Sequence, residues 1–122
     1  MSTLKVSNIQ ATGETASRAV SGVAAAWVNF NGTGTIAARD SENVSSLTDN
    51  GTSDYTANWS SSLGNANYQF AFAGSISDAV TITINPAQGV PTVSNIRVRT
   101  YNGGFAGVDA SYVNIAIHGD LA

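Results

Sequence analysis

Residues 111–118 read SYVNIAIH, and this stretch decides the fold. Val113, Ile115 and Ile117 fall on one side of an extended chain, with Tyr112, Asn114, Ala116 and His118 on the other. Successive side chains of a strand point to opposite faces, so apolar residues at every second position mark a strand with one dry face. The same pattern recurs upstream. Ile96 and Val98 oppose Asn95, Arg97, Arg99 and Tyr101, and Val80, Ile82 and Ile84 alternate with Thr81, Thr83 and Asn85. Tyr68, Phe70 and Phe72 share a face opposite Gln69 and Ala71. Each set predicts a strand of an antiparallel sheet whose dry face joins the core.

Outward from these stretches, glycines, prolines and Ser/Thr/Asn clusters cut the chain into short apolar pieces. Many short strands between turn signals predict an all-β fold, an antiparallel β-sandwich resembling a jelly-roll knob. Strands are expected at Leu4–Ile9, Ala25–Phe30, Gly34–Ala38, Asn43–Thr48 and Asp54–Trp59. Others follow at Tyr68–Ala73, Ala79–Asn85, Thr92–Tyr101 and Ser111–His118. The run Ser17–Ala26 contains good helix formers, but Gly22 in its middle disfavours a helix by about 1 kcal/mol relative to alanine. An extended conformation is expected there.

The turn Asp49-Asn50-Gly51-Thr52 is the strongest hairpin signal. A two-residue turn on Asn50-Gly51 would set Leu47 opposite Asp54. A five-residue loop from Asp49 to Ser53 sets Leu47 opposite Tyr55, with Ala57 and Trp59 on the same face. The apolar pattern sets register, so the longer loop is expected. Val44 and Leu47 differ in parity, which predicts a bulge near Ser45-Ser46.

Composition narrows function. The 122 residues include 15 Ser, 12 Thr, 12 Asn and 12 Gly, while only 11% are charged and 43% hydrophobic. One domain's worth of core is available. The low net charge of −3 and the regular aromatic residues argue against disorder. The same negative balance argues against nucleic-acid binding, which needs a basic face. Zero cysteines exclude thiol catalysis, disulfides and cysteine metal sites. No apolar run is long enough to span a membrane as a helix, and the start MSTLKVSNIQ has no signal-peptide pattern. No cofactor is expected.

His118-Gly119-Asp120 is the one cluster that resembles a catalytic or metal element, and it lacks an accompanying nucleophile motif or metal-binding helix. A structural or subunit-contact role for His118 is expected. Asp40, Glu42, Asp49 and Asp54 do not follow calcium-loop spacing, and turn chemistry accounts for such positions. Arg97 and Arg99 share a face with Tyr101, and a subunit contact is the expected use of that stripe. Tyr101-Asn102-Gly103-Gly104-Phe105 is a glycine-rich loop with an aromatic at each end. Tyr101, Asn102 and Phe105 are the candidate receptor contacts. The plain alternative has Tyr101 ending a strand and Phe105 plugging a core edge.

The run Ala25-Ala26-Trp27-Val28-Asn29-Phe30-Asn31-Gly32-Thr33-Gly34-Thr35-Ile36 resembles a segment found in bacteriophage tail-fibre and related virion proteins. The likeness continues through Arg39-Asp40-Ser41-Glu42-Asn43-Val44-Ser45-Ser46-Leu47-Thr48-Asp49-Asn50-Gly51-Thr52 and Asp54-Tyr55-Thr56. The opening Met1-Ser2-Thr3-Leu4-Lys5-Val6, with Ile9, also resembles the start of short phage fibre proteins. It spans the N-terminus and roughly residues 24 to 72, and no family motif is evident from Ser75 onward. The resemblance implies a homotrimeric virion surface protein. Residues 1–23 would form an attachment segment bound to another virion protein, and 24–122 a β-sandwich knob. The knob would adhere to a host surface glycan or protein, without enzymatic activity, nucleic acid or membrane insertion. A shaft has no room in 122 residues. A capsid decoration protein is the alternative reading.

Overall fold

The computed structural model describes residues 1–20, 22–75 and 79–122, with the backbone alone at Arg18. Ser21, inside the run expected to be extended, lies outside the described residues. Among the described residues ten strands form: β1 (Asn8–Ile9), β2 (Arg18–Ala19), β3 (Ala24–Asn31), β4 (Ala37–Glu42) and β5 (Val44–Gly51), then β6 (Asp54–Trp59), β7 (Gln69–Ser75), β8 (Val80–Thr83), β9 (Asn95–Asn102) and β10 (Tyr112–His118). No helix occurs among the described residues.

Two four-stranded antiparallel sheets, ordered β4-β3-β10-β7 and β5-β6-β9-β8, pack as a β-sandwich. The core is built as the alternation predicts. Val28 and Phe30 of β3 and Val113, Ile115 and Ile117 of β10 meet Tyr55, Ala57, Ile96 and Val98 of the second sheet, all at most 2% exposed. Phe30 and Tyr55 join the two layers edge to face, with ring centroids 5.4 Å apart. On one flank β7 closes tightly on β8. A Cβ built on Gly74 would lie 2.9 Å from Ile82 Cδ1 and 3.0 Å from Val80 Cγ1, so this approach requires glycine.

Several elements depart from the sequence expectation. β4 begins at Ala37 and not at Gly34, which sits in a turn at φ +62°. The residues of β4 are almost all exposed, so this edge strand carries no apolar alternation from which its position could be read. Of the expected strand Leu4–Ile9 only Asn8–Ile9 forms, pairing with Arg18–Ala19. The 50s hairpin takes neither weighed register. Leu47 pairs with Ala57 and Gly51 with Asp54, and Thr52-Ser53 make the turn. Ser53 takes the positive φ of 66° there. The expected bulge appears between Val44 and Ser46, and a second one between Asp49 and Gly51. Phe70 was expected in the dry core, yet it is 37% exposed. It lies at the rim of an edge strand, stacked on Phe72 at 5.0 Å.

Candidate functional site

The registers give the sandwich two ends. At one end β3 starts at Ala24 beside His118, and Gly22 N donates to Asp120 Oδ1 at 3.3 Å. At the other end β9 runs out into residues 103–109, beside Gly32 and the Thr52-Ser53 turn. The seven residues of β10 separate these ends, roughly 23 Å by strand rise. The N-terminal segment therefore leaves at the end opposite the aromatic loop.

That loop is closed by its own hydrogen bonds. Asn102 Oδ1 accepts from Gly104 N and Ala106 N, each at 3.0 Å. Asn102 N donates to Ala106 O, and Phe105 N donates to Asn102 O, both at 2.9 Å. Phe105 is 81% exposed and held at φ 61°, a region bulky side chains seldom occupy. It does not plug the core edge. Tyr101 is partly buried, with the Arg99 guanidinium 5.6 Å from its ring centroid. Asn102 acts as the loop's internal clamp and Phe105 as its projecting tip.

A polar cluster braces the base of the loop. Arg97 grips Asp54 with two bonds, Nε to Oδ1 at 2.8 Å and Nη2 to Oδ2 at 2.7 Å. The Arg97 bond holds the Asp54 carboxyl below the usual carboxylate range, against the opposing effect of burial. Arg99 donates to Gln88 Oε1 at 3.1 Å and to Ser53 Oγ at 2.9 Å. Asp109 Oδ1 accepts from Ser53 N and from the Tyr55 hydroxyl, both at 2.7 Å. Burial, and then the bond to Asp109, push the Tyr55 phenol well above its ordinary pKa. These bonds engage Arg97 and the Nη atoms of Arg99 within the chain, while the buried Arg99 Nε has no hydrogen-bond partner among the described residues. Asp54 proves to be an ion-pair partner and not a turn residue, whereas Asp49 does cap its turn, accepting from Gly51 N at 2.9 Å. At the far end, His118 Nδ1 lies 3.1 Å from Gly22 O.

A second surface escaped the sequence reading. With Val28 and Phe30 turned inward, Trp27, Asn29 and Asn31 face out from the first sheet. The pairings put Trp27 beside Ala116 and Ala116 beside Ala71. Asn29 lies beside Asn114, and Asn114 beside Ala73. Tyr112 stands one row further along and is 48% exposed. Arg39 lies over the Tyr112 ring at 4.0 Å and donates to Ser111 O at 2.7 Å and Asn29 Oδ1 at 3.1 Å. The signal was available: Trp27 has the opposite parity to Val28 and Phe30, as Tyr112 has to Val113. Among the described residues there is no pocket and no group of three metal-ligating side chains, so both candidate surfaces are open ones.

No known protein family, curated protein or solved structure matches the chain.

Proposed function

We propose that the chain is a virion surface protein of a bacteriophage, a short trimeric fibre or knob that adheres to the host cell and works by binding, not catalysis. The observation that carries the reading is Phe105. A large apolar side chain, 81% exposed, sits at a costly positive φ on a loop clamped by Asn102 and braced by Asp109. Strained, rigidly supported positions of this kind cluster at contact and ligand sites. The likeness of residues 24 to 72 to fibre proteins supplies the biological setting.

The two ends of the sandwich fit the same reading. Leu4, Val6 and Ile9 of the N-terminal segment are 85%, 45% and 49% exposed. They offer apolar surface for another virion protein at the end away from Phe105. A host surface glycan or protein would meet the loop, and avidity among copies on one particle would make weak single contacts useful.

Fluorescently labelled protein should bind cells of the strain on which the virion grows, and Phe105→Ala should lower that binding about tenfold or more while leaving the melting temperature unchanged. Light scattering should give a trimer. Binding to empty capsids, with none to cells, would replace adhesion by the decoration reading. Release of reducing sugar from host polysaccharide would overturn the non-enzymatic one.

A further inference from the structure

We propose that the outer face of the first sheet binds a neutral, extended glycan chain laid across β3 and β10 between Trp27 and Tyr112. This deepens the adhesion reading and rests on it for the class of ligand, but places a second contact surface away from the Phe105 loop.

Sugar rings present an apolar C–H face to stack on aromatic rings and a rim of hydroxyls for planar amides. The sheet presents both groups in alternating rows. Trp27, partly exposed, and Tyr112 stand two rows apart on neighbouring strands, roughly 13 Å along the strand direction. The row between them holds Asn29 beside Asn114. Asn29 Oδ1 accepts from Arg39 and Asn114 Nδ2 donates to Ala73 O. Among the described residues, the Asn29 Nδ2 donor and the Asn114 Oδ1 acceptor remain for a ligand.

The surface is preorganised. Arg39 bonds Ser111 and Asn29 while stacking on Tyr112, so one side chain fixes both an aromatic ring and an amide. Groups already held in place lose little freedom when a ligand arrives. Ala116, beside Trp27, leaves the indole's flank low and open toward β7. Asp40 is paired to Asn29 at the rim, and Arg39 is already engaged by Asn29, Ser111 and Tyr112, which disfavours a polyanion. A protein partner would want its aromatic anchors clustered at the centre of a patch. Here a polar row separates them.

The test uses the whole chain with chitohexaose, maltohexaose and laminarihexaose as probes. Trp59 is 6% exposed, so added acrylamide reports mainly on Trp27. At least one hexasaccharide should bind by calorimetry and shield that fluorescence, with its monosaccharide at least about tenfold weaker. Trp27→Ala and Tyr112→Ala should each weaken binding about tenfold or more. Trp27→Phe, which keeps a ring, should retain most of it, and Thr81→Ala, exposed on β8 of the second sheet, should change nothing. No binding by any hexasaccharide overturns the proposal, as does unchanged binding in a folded Trp27→Ala variant. If wild type binds none and Trp27→Ala dissociates an oligomer, the face is a contact between copies. If Phe105→Ala abolishes binding to cells while every hexasaccharide fails, adhesion stands and this face has no part in it.

Discussion

Both outer faces of the sandwich carry asparagines, and they use them in opposite ways. On the second sheet, polar side chains are used on one another. Asn58 Nδ2 donates to Ser46 Oγ and Thr48 Oγ1, each at 3.2 Å, and Asn50 Nδ2 donates to Thr56 Oγ1 at 2.9 Å. Arg97 closes on Asp54 at the strand end. On the first sheet, aromatic rings alternate with amides over alanines, and among the described residues only Arg39 links them. A face whose donors and acceptors are mutually satisfied gains rigidity and offers a ligand little. Polar composition by itself thus says nothing about whether a sheet face is available for binding; cross-strand neighbours decide it.

Undermining both faces together should have the largest effect. Phe30 is fully buried between the layers, and Phe30→Ala should cost about 3–5 kcal/mol, read as a shift in urea midpoint. If the loss is below about 1 kcal/mol, the common core is not what supports the two faces. A smaller, one-sided effect belongs to the ion pair. Asp54→Asn should cost about 1–3 kcal/mol and also change the acid limb of stability. A carboxyl whose pKa is lowered on folding stabilises above its unfolded value and loses that contribution as pH falls through its folded value. Wild type should therefore lose more stability than Asp54→Asn between pH 5 and about pH 3. Equal losses would deny the pair its role. The smallest effect sharpens the contrast most. Asn58→Ala on the second face should cost about 1 kcal/mol, whereas Asn114→Ala on the first should stay within about 0.5 kcal/mol. Matching losses at the two asparagines would erase the distinction between a satisfied face and an open one.

Much of the architecture was legible because burial writes itself as alternation. Residues 54–59 and 111–118 were placed almost to the residue, since each has one face in the core. β4 was misplaced because an exposed edge strand has no dry face to announce it. The 50s hairpin slipped by two residues relative to the expected register because a shift of two preserves which side chains face inward. Leu47 meets an apolar partner in either case, and only the bulge at Asn50 and the positive φ of Ser53 select the actual turn. The aromatic loop was visible as a composition cluster, and its strained tip was not, because backbone conformation at Phe105 depends on the clamp from Asn102. Arg97 and Arg99 read in the sequence as a stripe for a subunit contact, because Asp54, the acid that Arg97 grips, lies 43 residues away. The outward parity of Trp27 is plain in the sequence, but its companions on that face, Asn114 and Tyr112, lie more than 80 residues away and meet it only through the pairing of β3 with β10.

The pairing of β3 with β10 joins residues 24–31 to residues 112–118. It makes completion of the first sheet depend on a strand far downstream of β3. During synthesis β3 can pair with β4 at once, but its other edge stays open until residues 112–118 have emerged. The β5–β6 hairpin, by contrast, can zip locally. Closing so long a loop before any contact rewards it slows folding, and the open edge is an invitation to pair with a neighbour's strand. The same closure that gives the sandwich its aromatic face sets the interval during which nascent copies are most exposed to misassembly.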